Sequence, residues 1–463
     1  MSILSAYLLP HPPLAISAIG KGEEKKIQKT LDAFRQVAQE IAELAPETII
    51  FVTAHNVLYS DYFHISPGKG SKGNFSQFAA PEVKFEVTYD VELAKAIGDA
   101  ATEVALAAGP MGDKNPRLDH GVMVPLWFIN PYYNDYKVVR ISPSGMDVDA
   151  HYQFGRCVKQ AVEQTGRKTV LIASGDLSHK LTAEGPYGYA PEGTMFDNTL
   201  MTALTYGDFL ALLMMPENLK SAAAACGYEA AVIMAGLFDK QKVDCKVLSY
   251  EGPFGVGYGV ARLVAGEVEK SRDYLTKIKK ITLENARQSR LEEDAYQALA
   301  RKSLECKIKT GKALEKPVIL PKAMTENRAG VFVSLEKNGR LRGCIGTIAA
   351  TKSDIAAEIM QNAVSAGLMD ERFDPVTEAE LEELTYCVDV LAAPEQISSV
   401  KKLDVKRYGV IVSSGSKRGL LLPNLDGVDT VEEQIAIARR KAGIFENEEI
   451  SLERFEVVRH GHK

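Results

Sequence analysis

Cysteine, histidine and tryptophan are scarce in this 463-residue chain, which contains six, eight and one of them. The cysteines stand singly, without a CxxC pair, which argues against a disulfide framework or a thiolate zinc site and favours reduced thiols. No apolar run approaches the roughly 20 residues that span a bilayer, and the first residues lack the positive segment of a signal peptide. We therefore expect a cytoplasmic protein.

A surplus of basic residues is also missing. The net charge is -6, with both signs spread along the chain, so no basic footprint for nucleic acid is present. Small-molecule or metabolic partners fit this composition better than nucleic acid or a membrane, and an oligomer is compatible with it.

The length exceeds what one hydrophobic core usually organises, so we expect two domains. Residues 1–266 alternate short apolar runs with amphipathic stretches, which predicts an α/β domain with a central, largely parallel sheet flanked by helices. Residues 267–289 are charged, show no obvious core face and are predicted to be a linker. Residues 290–463 are predicted to form an α+β domain. The predicted strands include 3–9, 48–54, 137–142, 169–174, 245–250, 256–266, 330–336 and 385–391, and the predicted helices include 23–44, 147–164, 199–215, 291–310, 352–367 and 430–443.

Three of the histidines follow the ends of predicted strands. They are His11, His55 and His179. In an open α/β sheet the carboxyl ends of the strands converge on one crevice, so these side chains are expected to meet in space. His120 precedes an apolar stretch and is a fourth candidate.

Glu229 lies in an apolar segment that is predicted to be a buried helix. A buried carboxylate must pair with a cation, bind a metal or take up a proton. Two imidazoles and one carboxylate with open coordination positions form the facial triad of non-haem Fe(II) oxygenases. His11, His55 and Glu229 are therefore a candidate iron site, with Zn(II) as the other candidate metal.

Structural roles compete with this interpretation. A single histidine after a strand is more often a surface or capping residue, and Glu229 could instead pair with a buried arginine. Aromatic residues of the loops 56–80 and 180–195 could form an apolar wall of a pocket, although such residues more often pack against their own domain. They are Tyr62, Phe75, Phe78, Tyr187 and Tyr189.

Five motifs of the first half resemble the catalytic LigB-type subunit of class III extradiol dioxygenases and the related Memo proteins. The resemblance implies iron held by His11, His55 and Glu229, an acid–base role for His179, and His120 near the substrate or O2. In Memo-type members a cysteine takes the carboxylate position. Cys226 lies three residues from Glu229, and the glutamate in the motif favours the dioxygenase pattern. The motifs are PHPPL at 10–14, TAHN at 53–56, LDHG at 118–121, SGDLSH at 174–179 and GYEAAVIMAG at 227–236.

Four segments of the second half resemble the AMMECR-type domain. Within it, Cys344 is a candidate nucleophile and Arg342 a candidate anion-binding residue, but a cysteine in an apolar strand is more often a small core residue. Memo-like and AMMECR-like domains in one chain are similar to proteins of the AmmeMemoRadiSam system, which implies a radical S-adenosylmethionine partner protein. The segments are LRGCIGT at 341–347, DERFDPVTEAELEEL at 370–384, GLLLPN at 419–424 and TVEEQIAIARRKAGI at 430–444.

The resemblance and the ligand set predict an extradiol dioxygenase-like enzyme that opens the ring of a catechol-type or other metal-chelating substrate with O2. His179 would transfer the proton, and Asp176 in the same turn could orient its ring or cap the turn. Three alternatives stay open: another metal-dependent reaction at the same site, a maturation or modification factor that acts with the radical enzyme, and a non-catalytic scaffold.

Overall fold

The computed structural model describes residues 2–112, 114, 117–425 and 428–461. The chain divides between Ile278 and Lys279 into two compact units. Among the described residues, no helix is both long enough and apolar enough to cross a membrane.

The first unit contains a six-stranded sheet and helices on both of its faces. Its strands are β1 (Ile3–Leu9), β2 (Thr48–Thr53), β3 (Phe63–His64), β4 (Gly70–Phe75), β5 (Ala80–Thr88), β6 (Ala108–Gly109), β7 (Lys137–Ile141), β8 (Thr169–Ser174), β9 (Gln241–Glu251) and β10 (Tyr258–Val268). Its helices are α1 (Ser17–Gly20), α2 (Gln28–Leu44), α3 (Val91–Glu103), α4 (His120–Ile129), α5 (Val148–Thr165), α6 (Pro191–Tyr206), α7 (Phe209–Leu213), α8 (Glu217–Ala223), α9 (Tyr228–Gly236) and α10 (Tyr274–Glu292).

The main sheet has the strand order β7-β2-β8-β1-β10-β9. The pairs from β7 to β1 are parallel, and β10 pairs antiparallel with both β1 and β9. The prediction of a largely parallel sheet flanked by helices is confirmed. The central strands β2 and β8 are buried at every position, as expected where helices cover both faces of a parallel sheet.

Alternate side chains of the central strands enter two separate cores. Leu8, Ile50 and Val52 pack in one core, which also includes residues of α3, α5 and α9. Tyr7 and Phe51 pack in the other, which includes residues of α2 and α4. This alternation is what the strand period of two residues requires. Because β1, β2 and β8 run parallel, their carboxyl ends lie at one edge of the sheet.

Two predicted segments differ from the structure. The predicted helix 199–215 is divided between α6 and α7, because Gly207 ends α6 with a φ of 62°. The segment 267–289, predicted to be a linker without a core face, contains most of α10, and the division between the units lies within this helix. Tyr274 and Ile278 of α10 belong to the core of the first unit. Thr282 and Ala286 are buried as well, so the helix has a buried side on which residues recur every four positions.

The second unit is an α+β region, as predicted, and its two sheets are antiparallel. One sheet has the order β12-β11-β13-β18 and the other β14-β17-β15-β16. Residues of α11 and α13 share the core of the first sheet. The strands are β11 (Val331–Lys337), β12 (Arg340–Gly346), β13 (Leu384–Leu391), β14 (Glu395–Ile397), β15 (Gly409–Ser414), β16 (Lys417–Leu421), β17 (Ser451–Phe455) and β18 (Val457–His460), and the helices are α11 (Ala295–Thr310), α12 (Lys322–Glu326), α13 (Ile355–Leu368) and α14 (Val431–Ala442).

Candidate metal centre

Histidines gather at the carboxyl edge of the parallel strands. His11 and His55 each follow the end of a strand by two residues, after β1 and β2, and His179 follows β8. His120 is the first residue of α4. The His11 ring centroid lies 4.7 Å from that of His55 and 5.0 Å from that of His120. The structure thus brings together side chains that are far apart in the sequence.

Three potential metal ligands converge within this cluster. Nε2 of His11 lies 2.9 Å from Nε2 of His55 and 3.4 Å from Sγ of Cys226. One ligand atom from each residue lies within 4.8 Å of the others, and among the described residues this is the one group of three such side chains. Imidazole nitrogen and thiolate sulfur are donors that transition metals accept in proteins. The donor set therefore fits a bound transition-metal ion.

The ring of His11 is oriented by Ser174, the last residue of β8. The Ser174 hydroxyl donates to the Gly121 carbonyl at 2.5 Å, so its oxygen is available to accept from Nδ1 of His11 at 3.0 Å. The proton of the neutral imidazole is then on Nδ1, and Nε2 carries the lone pair that a metal needs. Ser174 therefore selects the tautomer of His11 that can bind a metal.

Cys226 reaches the histidines because two backbones approach closely at glycines. A Cβ atom added at Gly175 would lie 2.1 Å from Cα of Gly227. In addition, the amide of Gly227 donates to the carbonyl of Asp176 at 2.9 Å. The turn that contains Cys226 is thereby fixed against the end of β8, and any larger side chain at either glycine would displace it.

The surroundings favour neutral ligands before a metal binds. Burial lowers the pKa of His11 well below its ordinary value, and the neighbouring His55, His120 and His179 lower it further. Burial also lowers the pKa of His120 to about 4. Burial raises the pKa of the Cys226 thiol, and the nearby Asp176 carboxylate raises it further. Metal binding would release the thiol proton, whereas the imidazoles are already in their ligand form.

His120 and His179 border the group of three without being part of it. The His120 ring centroid is 4.1 Å from that of His55. His179 lies near enough to His55 for a positive charge on one to lower the pKa of the other. Both histidines therefore lie beside the potential ligands rather than among them.

Asp119 belongs to a buried polar network beside His55 and His120. Its carboxylate accepts from the Thr53 hydroxyl at 3.0 Å and from the Arg140 guanidinium at 3.3 Å. Arg140 is fully buried. Asp119 counteracts the effect of burial on His55 and His120 by raising the pKa of each. The sequence analysis did not identify Asp119, although it directly precedes His120.

Asp176 supports His11 and Cys226. Its Oδ1 accepts from the backbone amide of His11 at 2.8 Å, and its own amide donates to Sγ of Cys226 at 3.2 Å. Burial raises the pKa of this carboxyl to about 7. Asp176 was expected to orient the ring of His179. The structure instead shows it in contact with His11 and Cys226, two of the potential ligands.

The prediction for Glu229 requires a correction, because Glu229 lies outside the group of three potential ligands. The third member of that group is Cys226. Glu229 is in the first turn of α9 and is half-buried, and the charged groups that affect its pKa are Lys220 and Glu217 of α8. The predicted helix over 221–238 is only partly confirmed. The chain leaves α8 after Ala223 and α9 begins at Tyr228, so Cys226 lies in the turn between them and approaches the histidines. The sequence analysis weighed the cysteine of Memo-type proteins and favoured the glutamate, whereas the structure groups the cysteine with the histidines.

A cavity of about 1070 Å³ opens onto the cluster at His55 and His120. The β4–β5 hairpin provides much of its wall, including Asn74 and Lys84. Phe78 lies outside this lining, but its ring centroid is 5.6 Å from that of His120. The cavity gives a small molecule access to the histidine cluster.

The two candidates in the second unit have protein partners. The guanidinium of Arg342 donates to both carboxylate oxygens of Glu380, at 2.9 and 3.2 Å, and to the carbonyl of Asp374. Cys344 accepts from the Ser334 hydroxyl at 3.2 Å, and burial raises the pKa of its thiol. These contacts favour structural roles for Arg342 and Cys344.

The fold and the cluster define an α/β protein with a candidate metal centre at the carboxyl edge of its sheet. Residues 5–261 match the family described as the catalytic LigB subunit of aromatic ring-opening dioxygenase, and residues 297–460 match AMMECR1. The chain belongs to the LigB family and also contains an AMMECR1 domain. Both resemblances noted in the sequence are confirmed.

Relatives have been found for the whole chain and for its parts. A protein of Clostridium acetobutylicum is 42% identical over 99% of both chains. A protein of Thermotoga maritima is 45% identical over 36% of this chain and 98% of its own. The crystal structure of a Pyrococcus horikoshii protein is 31% identical and covers 35% of this chain and 88% of its own, with a TM-score of 0.32. The crystal structure of an Escherichia coli K12 protein is 16% identical and covers 56% of this chain and 99% of its own, with a TM-score of 0.37.

Proposed function

We propose that the first unit is a metal-dependent oxidoreductase of the dioxygenase type, which uses O2 and a small substrate that chelates the metal through two oxygen atoms, such as a catechol-type diol. The observation that carries this proposal is the approach of His11, His55 and Cys226 to one another, with His55 also lining an open cavity. Membership of the dioxygenase family supports the reaction class.

His11, His55 and Cys226 would hold the metal ion. A redox-active ion bound there, iron or copper, would supply electron transfer between the substrate and O2. The thiol donor differs from the carboxylate expected for Fe(II), and it also suits copper and zinc. Iron is the metal that the family resemblance implies, so the identity of the native metal belongs to the test.

The remaining residues of the cluster would bind the substrate and move protons. His120 borders the cavity and can accept or donate a hydrogen bond to a substrate oxygen. Because burial lowers the pKa of His179, its ring is neutral at pH 7 and can accept a proton from a hydroxyl of the substrate. His179 is not one of the three donors and stays free for this transfer.

The test is oxygen uptake by the full chain, purified without oxygen and loaded separately with Fe(II), Cu and Zn. We expect one equivalent of metal per chain and diol-dependent oxygen uptake with a redox-active metal only. The His179→Gln variant should bind metal normally and turn over at least about a hundredfold more slowly. The absence of stimulated uptake with every diol and both redox-active metals would contradict the proposal.

A second candidate is metal-dependent hydrolysis, which the thiol donor favours because Cys and His together are common zinc ligands. It predicts turnover by the zinc-loaded protein without oxygen consumption. The two functions are thus distinguished by the same set of metal-loaded samples.

The radical S-adenosylmethionine partner is a separate proposal, supported by the presence of both family domains in one chain. Co-purification of the full chain with a radical enzyme encoded beside it would support the proposal. Failure of the two purified proteins to associate would count against it.

A further inference from the structure

The turn that contains His179 is held in place by several backbone hydrogen bonds. The amide of His179 donates to the carbonyl of Ala223 at 3.0 Å, and that of Leu177 donates to the carbonyl of Gly257 at 2.9 Å. Gly257 in turn donates to the carbonyl of Ser178 at 2.8 Å. The main chain on both sides of His179 is thus attached to neighbouring segments.

A fully buried carboxylate fixes the residue before His179. Asp197 of α6 accepts from the amide of Ser178 at 2.7 Å through Oδ1 and from the hydroxyl of Tyr250 at 2.7 Å through Oδ2. A buried carboxyl group is costly unless hydrogen bonds compensate for its lost hydration. Both oxygens of Asp197 have such a partner, and one of the two partners is adjacent to His179.

An aromatic ring covers the other side of His179. The centroid of the Tyr187 ring lies 4.9 Å from that of the imidazole, with an angle of 26° between the planes. Tyr187 is at the tip of a loop whose base is closed by a bridge between Leu181 and Tyr189 and by the hydrogen bond from Ala190 to Lys180. Its side chain is 59% exposed, so core packing does not explain why it lies against the imidazole.

We propose that Tyr187, Asp197 and Tyr250 are positioning residues that form a clamp on His179 and hold its imidazole beside the metal centre for proton transfer. Asp197 and Tyr250 fix the main chain, and Tyr187 restricts rotation of the ring. The inference rests on the proposed function, because it assigns the three residues to the step that His179 performs. Misplacement of a catalytic group by about 1 Å can cost a hundredfold in rate, which gives such residues a kinetic effect.

The experiment compares four variants of the full chain with the wild type. Tyr187→Ala removes the stacked ring, Tyr187→Phe keeps it, and Tyr250→Phe removes the hydroxyl that donates to Asp197. The matched control is Tyr7→Phe, because Tyr7 also donates from a buried position to a carboxylate, that of Glu40 at 3.1 Å, but does not contact the turn of His179. Metal content and thermal melting show that each variant is folded and loaded.

Two measurements are made on each variant. The first is steady-state oxygen uptake, in which Tyr187→Ala should lower kcat about tenfold with KM within about twofold, and Tyr250→Phe should lower kcat about threefold. Tyr187→Phe and Tyr7→Phe should stay within about twofold of the wild type. The second is the set of nuclear Overhauser effects from the His179 ring to its neighbours other than Tyr187 in the zinc-loaded protein, with the ring protons assigned by their absence from His179→Gln. This set is the His179 ring signal, and it should change in Tyr187→Ala and stay the same in Tyr187→Phe.

The clamp is contradicted if Tyr187→Ala keeps both its kcat and the His179 signal. The role of Tyr250 is contradicted if Tyr7→Phe lowers kcat equally. If the metal-loaded wild type consumes no oxygen with any diol, the proposed function is contradicted but the clamp is not. The ring signal then decides about the clamp: a signal unchanged in Tyr187→Ala overturns it, and a changed signal supports it.

Discussion

Both units contain a motif with reactive residue types, but these residues have different surroundings. In the first unit, the imidazoles of His11 and His55 and the thiol of Cys226 face one another, and none of the three forms an ion pair with a carboxylate of the described residues. In the second unit, Arg342 and Arg372 are paired with carboxylates. Donor atoms directed at one another are typical of a ligand site, whereas paired charges are typical of a structural network.

The sharpest test of this comparison replaces the thiol. We expect Cys226→Ala to lower metal affinity by at least about a hundredfold, because one of three donors is lost. Glu229→Gln, the matched control, should change affinity less than about twofold. Competition with a chromophoric chelator measures both. The reverse order of effects would restore Glu229 as the ligand and remove Cys226 from the site.

The next effect concerns the orientation of His11. Ser174→Ala removes the hydroxyl that accepts from Nδ1, so both tautomers of the ring become accessible. We expect metal affinity to fall between about tenfold and a hundredfold, in the range found for residues that orient ligands. Ser178→Ala is a useful control, because Ser178 lies on the same segment but does not contact a ligand. Equal losses in the two variants would contradict the tautomer argument.

In the second unit the expected effect is on stability alone. Arg342→Ala leaves Glu380 without its bidentate partner in a half-buried position, and we expect a loss of about 2 kcal/mol in the free energy of unfolding. Urea denaturation measures this loss, and metal affinity should stay at the wild-type value. Unchanged stability with loss of binding to a small anion would instead support a ligand role for Arg342.

The smallest effect is a pH dependence at Asp370. The Arg372 guanidinium and the amide of Cys344 hold the pKa of Asp370 at about 2, below the value of 3.8 expected when unfolded. The ionised carboxylate of Asp370 therefore contributes its full stabilisation of the folded state above pH 3.8, and this contribution is lost as the pH falls towards 2. We expect Asp370→Asn to speed amide hydrogen exchange of Cys344 at pH 6, by an amount equivalent to about 1 kcal/mol because Arg372 is exposed to solvent.

At pH 3 the exchange rates of Asp370→Asn and the wild type should differ less than at pH 6. A difference that does not depend on pH would show that the carboxylate charge of Asp370 has no part in the effect.

The first domain could largely be predicted because its strands are continuous apolar runs. Those runs located the ends of β1, β2 and β8, and hence the meeting of His11, His55 and His179. The sequence alone does not show that the Cys226 thiol, and not the Glu229 carboxylate, joins the two histidines. Helical periodicity at Glu229 is visible in the sequence, but the position at which α9 begins depends on contacts between the turn at Gly227 and the end of β8.

Other features depend on contacts between distant segments. The stacking of Tyr187 on His179 arises from the closure of a loop by backbone hydrogen bonds, which leave no periodic pattern. The partners of Arg342 are 32 and 38 residues away, so its pairing could not be distinguished from a free anion site. In α10 the buried residues recur every four positions, at Tyr274, Ile278, Thr282 and Ala286. Two of them are polar or small and charged residues surround all four, so the apolar pattern is weak.

The path of the main chain determines which residue, and hence which type of donor atom, lies at this centre. Gly175 and Gly227 meet with no room for a methyl group, and the turn that ends at Gly227 presents the residue at 226 to the histidines. The residue at 229 is carried round the helix towards Lys220. A protein engineer who wishes to exchange sulfur for oxygen here would have to redesign the crossing of two backbones, and changing side chains on the helix would not suffice.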